Sequence, residues 1–184
     1  MGLTIDRRAF IGAGAAAASG LMTAKPRVAQ AKAPAITLPA PIGRQERLAR
    51  LAKARALMQR NGIGAILVEP GASLDYYTGV QWRRSERLTA AVIPASGDPI
   101  IVTPFFEKPS VEESLAVPAE VRVWHEDEEP LKLVADFLRE RGVANQPVGF
   151  EETNRFFILD KLQQQLPGAK VVSANPVVRA SRMI

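Results

Sequence analysis

From Arg44 onward the sequence predicts an α/β fold, three layers thick, with a central mixed sheet and helices on both faces. Three observations carry this. Helical and strand patterns alternate to the end of the chain, the order expected of a layered α/β domain. In "LTAAVIPASGDPIIVTP" two apolar runs flank a Ser-Gly-Asp turn; such a hairpin makes the sheet mixed rather than purely parallel. The 184 residues are 47% hydrophobic and 23% charged, enough apolar material for a packed core.

The elements follow in order. "RQERLARLAKARALMQRNG" sets Leu48, Leu51, Ala52, Ala54, Leu57 and Met58 mostly on one helical face, with arginines and lysine opposite. Gly62 stops that helix. "AILVE" is a short buried strand ended by Pro70-Gly71, and "SLDYYTG" is a turn or short helix. After the hairpin, Pro109 confines helix in "FFEKPSVEESLA" to its C-terminal part. "EVRVWH" is a strand. "PLKLVADFLRERG" is a helix with Pro130 at its first position and Gly142 past its end. "PVGFE" is a strand, "RFFILDKLQQQLPG" a helix and "AKVVSA" a last strand. Asn175-Pro176 reads as a turn and cap, with a helix opening at Val177.

Residues 1–31 have a different character. Arg7-Arg8 precedes Phe10 and Ile11, a short Ala/Gly-rich apolar run follows to Met22, and Ala29-Gln30-Ala31 has the small-x-small form of a cleavage site. The run is shorter than the roughly 20 residues a membrane-spanning helix needs. This segment resembles a twin-arginine export signal cut after Ala31 or, alternatively, Ala33, although Asp6 and Gly12 depart from its commonest form. It predicts export to a periplasmic or extracellular space, with only transient membrane contact. "GAGAAA" matches a dinucleotide fingerprint, but no strand precedes it and no acidic residue follows from Met22 to Pro41. Residues 32–43 are a Pro/Ala-rich linker.

Composition excludes several functions. The net charge is +5, but residues 1–31 hold four cations against Asp6, so the remainder is near neutral. No basic stripe with interleaved aromatics is present, and nucleic acid is not an expected partner. There is no cysteine and one histidine, His125, so thiol chemistry and multi-histidine metal sites within this chain are excluded.

The stretch "SLDYYTGVQWRRSERLTAAVIPASGDPIIVTPFFE" resembles the N-terminal domain of the creatinase/prolidase/aminopeptidase P family. The aromatic-x-[ST]-Gly turn is Tyr76-Tyr77-Thr78-Gly79. A variable loop, an arginine and an apolar hairpin follow it. The lead-in "GIGAILVEPGASLDYYTG" and the "VGFEE" strand match in order, so the resemblance covers Arg44 to Ile184. It implies that 44–175 is the domain and that 176–184 opens a connector toward a catalytic domain absent from this sequence. It also implies that two divalent metal ions sit in that missing domain if the parent is a peptidase. Neither a catalytic residue nor a metal ligand of the family is expected in this chain, which alone is expected to have no peptidase activity.

The resemblance singles out Arg87, eight positions after Gly79. In creatinase-like members an arginine there reaches a neighbouring subunit's active site and helps hold substrate. A guanidinium suits this, because it forks onto a carboxylate. The plainer alternative is a surface pair with Glu86 or another carboxylate. Trp82, Arg83 and Arg84 share the loop and are expected at an oligomer or inter-domain contact, or else Trp82 folds onto its own domain. His125 and the acids 126–129 are read as a helix N-terminus rather than a metal site. Glu151 and Glu152 are expected to face opposite ways and to cap the helix starting near Asn154-Arg155.

Two functions follow as expectations. One is a non-catalytic N-terminal domain of an exported Xaa-Pro peptidase-like or creatinase-like hydrolase, joined in cis to its catalytic domain and forming a homodimer. The other is a stand-alone exported binding or dimerisation module. An exposed apolar patch at Val177, Val178 and Met183 would favour the first, and a helix that closes the domain the second.

Overall fold

The computed structural model describes residues 40–183. The Arg7-Arg8 pair, the boundary at Ala31 and all but the last four residues of the 32–43 linker lie outside them.

Helix α1 (Arg44–Arg60) leads to β1 (Ala65–Val68), a four-residue strand buried on both faces. Helix α2 (Ala72–Thr78) follows, then β2 (Ala90–Pro94) and β3 (Ile100–Pro104) form the expected hairpin. A 3₁₀ turn at Phe105–Glu107 precedes α3 (Lys108–Ser114), where Pro109 stands in the first turn. The remaining elements are β4 (Glu120–Trp124), α4 (Pro130–Glu140), β5 (Val148–Phe150), α5 (Phe156–Gln165), β6 (Val171–Ser173) and α6 (Asn175–Arg182).

The strands form one six-stranded sheet in the order β4-β3-β2-β1-β5-β6. β1 is antiparallel to β2, with Ile66 opposite Ile93, and parallel to β5, with Ile66 opposite Gly149. The β2–β3 pair is antiparallel, and the β3–β4 and β5–β6 pairs are parallel. Thus β2 alone runs against the other five, and their C-terminal ends share one edge.

Alternation of side chains along β1 feeds two cores. Ala65 and Leu67 face Val134, Phe137 and Leu138 of α4 and Ile158 and Leu162 of α5. Ile66 and Val68 face Leu51 and Met58 of α1, Leu74 and Tyr77 of α2, Val111 of α3 and Val177 and Val178 of α6. The predicted three layers are therefore present.

Two local expectations change. The helical pattern puts Arg47 on the polar side of α1, but it is buried, because its guanidinium pairs with the Asp75 carboxylate at 2.9 Å. Asn175 is the first residue of α6 rather than its cap; its N–H donates to Ser173 Oγ at 3.2 Å, and Pro176 takes the first turn.

The Tyr-Tyr-Thr-Gly turn has a structural use. Thr78 Oγ1 donates to the Leu74 carbonyl at 2.6 Å and accepts the Val80 N–H at 3.1 Å. Gly79 ends α2 at φ 87°, and a Cβ there would lie 2.6 Å from the Ala116 Cβ. Both the left-handed backbone and the close approach require glycine.

Tyr77 and Tyr76 hold α6. The buried Tyr77 phenol shares a hydrogen bond with Ser181 Oγ. Tyr76 Oη donates to the Ser181 carbonyl at 2.7 Å, and Lys53 Nζ to the same carbonyl at 3.2 Å, supplying donors that the last turn of a helix lacks. Val177 and Val178 are thereby buried within the domain, and Met183 stands exposed.

Two outcomes are expected. Gly79→Ala lowers unfolding free energy by about 2 kcal/mol in urea titration, the scale of a strained left-handed residue. Burial pushes the Tyr77 phenol up to about 12 from an ordinary 10.0. Folding thus favours the neutral phenol. That contribution, about 2–3 kcal/mol, is complete below the unfolded value and is lost as pH rises toward the folded one. Tyr77→Phe gives up the Ser181 bond at neutral pH but flattens the stability profile across that alkaline window, as unfolding at a series of pH values will show.

Candidate functional site

The chemistry-bearing side chains gather where the five parallel strands end. There Glu69 follows β1, Glu151 follows β5, Phe105 follows β3 and His125 follows β4, while Arg87 to Thr89 lead into β2. These residues form three separate places rather than one.

The first is a cleft of about 430 Å³ lined by residues that include Glu69, Ser73, Arg84, Glu151, Thr153 and Arg182. The Glu69 side chain is fully buried, and its carboxylate is held by Arg155 at 2.8 Å. Glu69 Oε2 also accepts the Arg155 backbone N–H at 2.9 Å, and Oε1 accepts Nε at 2.9 Å. Glu69 thereby does the work of an α5 cap from a distant strand. Ser73 Oγ donates to Glu151 at 2.5 Å and accepts from Arg182 at 3.3 Å.

The second is a shelf around Arg87. Its guanidinium meets Glu126 at 2.7 Å and Glu86 at 3.9 Å, and lies 5.5 Å over the Phe106 ring. The hydrogen bond and charge of Glu126 raise its pKa further, so it is always cationic. Phe105 packs edge-on against Phe106 and stacks on His125 at 4.6 Å. Beneath the shelf Thr89 and Thr103 both donate to Glu107, at 2.8 and 3.1 Å.

The third is an open depression lined by Gly71, Ala72, Asp75, Gln81, Trp82 and Arg83. Trp82 is half-buried against the α1-side core, and Arg83 is exposed. Arg87 therefore does not join Trp82 and Arg83, and the three loop arginines go to three different places.

The acidic run behaves as a helix start. Glu129 accepts the Leu131 N–H at 3.2 Å at the head of α4, Glu128 accepts the His125 N–H at 2.7 Å, and Glu126 turns to Arg87. Among the described residues no group of three or more His, Asp or Glu side chains converges as a metal site. Glu151 and Glu152 do point apart, but neither caps α5. Glu152 instead bonds Asn175 and meets Arg179 at 2.7 Å.

Sequence reasoning missed Glu69, Ser73, Arg155 and Arg182. The signal for Glu69 was present: a carboxylate directly after a wholly apolar strand must find a cation when buried.

Sheet order and the two helical layers define a three-layer α/β domain with a mixed sheet. Residues 50–184 match the creatinase/prolidase N-terminal domain, and the chain belongs to that family. It is 33% identical over 138 residues to the Mycobacterium tuberculosis protein named Probable dipeptidase PepE, covering 73% of this chain and 36% of the relative. The crystal structure of dipeptidase PepE from Mycobacterium ulcerans superposes with a TM-score of 0.66 at 33% identity, over 77% of this chain and 38% of that one. The N-terminal domain of Xaa-Pro dipeptidase from Lactobacillus brevis shares the fold, with TM-score 0.60 at 22% identity, covering 66% of this chain and 90% of that one. The chain thus spans little more than a third of its curated relatives.

Removing Glu69 takes the carboxylate partner from the partly buried Arg155 guanidinium. Glu69→Ala is expected to lose about 3 kcal/mol in urea unfolding, and Glu69→Gln, which keeps an acceptor for the Arg155 N–H, distinctly less.

Proposed function

We propose that this chain is the N-terminal, non-catalytic domain of an exported Xaa-Pro peptidase or related dipeptidase. In this reading it shapes substrate access and dimer contacts for a catalytic domain following in cis. The observation that carries the reading is Arg87 on the strand-end edge, in a family domain spanning about a third of its dipeptidase relatives. Its guanidinium is oriented by Glu126 and backed by Phe106, and its side chain is 41% exposed. Such a group can exchange one carboxylate for another with little reorganisation. In the homodimer Arg87 reaches the partner's active site and grips a substrate carboxylate, while Trp82 and Arg83 contribute to the rim. In this reading two divalent metal ions belong to the following domain. Bond cleavage falls to that domain as well, and the chain alone does not hydrolyse peptides. The twin-arginine segment exports the folded, metal-loaded protein to a periplasmic or extracellular space, and neither nucleic acid nor stable membrane contact is involved.

A stand-alone exported binding module is the second reading, favoured by one observation. Val177 and Val178, two of the three residues of the expected apolar patch, are buried against α1 and the sheet, and only Met183 of the three is exposed.

The test uses the protein carrying the catalytic domain. Arg87→Ala is expected to lower kcat/KM for an Xaa-Pro dipeptide about 10- to 100-fold, the scale of one charge-assisted hydrogen bond, with an unchanged melting temperature. Mixing it with a subunit intact at Arg87 but disabled in the catalytic domain restores activity if Arg87 acts across the dimer. No restoration refutes the trans role. An immunoblot of source cells with an antibody to residues 44–184 separates the two readings: a band only at the size of this chain without its signal sinks the first.

A further inference from the structure

The cleft beyond β1 has a chemistry that the Arg87 reading leaves unused. β1 and β5 are parallel neighbours, yet α2 leaves β1 toward the α1 layer and α5 leaves β5 toward the α4 layer. Connections that part in this way open a crevice past the strand ends, where α/β proteins bind small ligands. Here the crevice measures about 430 Å³, the size of a small-molecule site.

Its charges are unbalanced. Glu69 is committed to Arg155 through Nε and Nη2, and Glu151 accepts from Ser73. Arg84 approaches no carboxylate more closely than 3.9 Å among the described residues. Arg182 bonds only the Ser73 hydroxyl, at 3.3 Å, among the same residues. Two glutamates and three arginines leave one positive charge over, and it is shared by two guanidiniums on the cleft wall. Pro70, Gly71 and Ala72 supply a small apolar side to the same cavity.

We propose that this cleft binds a small organic carboxylate, its oxygens forked between Arg84 and Arg182 and its short apolar body against Pro70 and Ala72. The planar fork of a guanidinium matches a carboxylate better than a spherical anion. Thr153, which also lines the cleft, offers a further hydroxyl donor.

The experiment is a titration of the isotope-labelled 184-residue chain with sodium propionate, followed by amide NMR signals, with chloride and sulfate as comparison anions. Saturable millimolar shifts confined to Gly71, Ala72, Ser73 and Thr153, weaker for chloride and sulfate, are expected. Arg84→Ala weakens propionate about tenfold or more, Arg84→Lys by less, and Arg179→Ala, which removes a cation outside the cleft, not at all. Thermal unfolding of each variant separates lost binding from lost fold. N-acetylalanine binding more tightly than propionate assigns the site to peptide C-termini, and weaker binding assigns it to free acids. Equal shifts from chloride, or no saturation, overturn the proposal. Because the readout involves neither hydrolysis nor dimerisation, its failure would leave the Arg87 reading standing.

Discussion

The buried pair of Glu69 and Arg155 governs the edge on which every candidate residue sits. A fully buried carboxylate persists only where its charge and lone pairs are met; Arg155 donates to it from Nε and from its own backbone N–H, and Nη2 brings its charge to 2.8 Å. Since that N–H stands at the head of α5, the pair fixes where α5 leaves the sheet relative to β1. Arg155 also donates from Nη1 to the Ser85 carbonyl. Ser85 lies between Arg84 and Arg87, so one ion pair sets the course of the loop that sends one arginine into the cleft and another onto the Phe106 shelf.

Most of the architecture was legible because local signals agreed with the fold. Pro130 and Gly142 bracket α4, and the Ser-Gly-Asp turn joins β2 to β3. The tight turn reverses the chain between β2 and β3, and the connections through α3 and α5 return it parallel, but β1 and β2 run antiparallel although α2 lies between them. Arg47 was not legible, because a helical pattern assigns arginine to the solvent side, and only the tertiary approach of Asp75 reverses that assignment. Asn175 misled for a related reason. Its residue type favours a cap, yet Ser173 already supplies the oxygen at that turn.

The candidate site was legible in part. The loop from Trp82 to Arg87 does reach the strand-end edge, and Arg87 is cationic, partly exposed and paired with Glu126 rather than chiefly with Glu86. What the sequence could not convey is that neighbours in a loop diverge. Trp82 and Arg83 line one depression, Arg84 turns toward Glu69, and Arg87 joins a shelf built from β3 and β4. Glu151, Ser73 and Arg182 lie far apart in sequence, and only the parallel pairing of β1 with β5 and the return of α6 bring them together.

The clasp on α6 has a mechanical consequence. Tyr76 and Lys53 draw the end of α6 against α1, so Glu46 and Arg50 at one end of the domain share a groove with Arg182 and Met183 at the other. The first and last helices of the domain therefore meet at a single corner. Arg182 lines this groove and the cleft beside Glu69 alike. The seating of α6 on α1 and the shape of the cleft thus share one side chain, on a single face of the sheet.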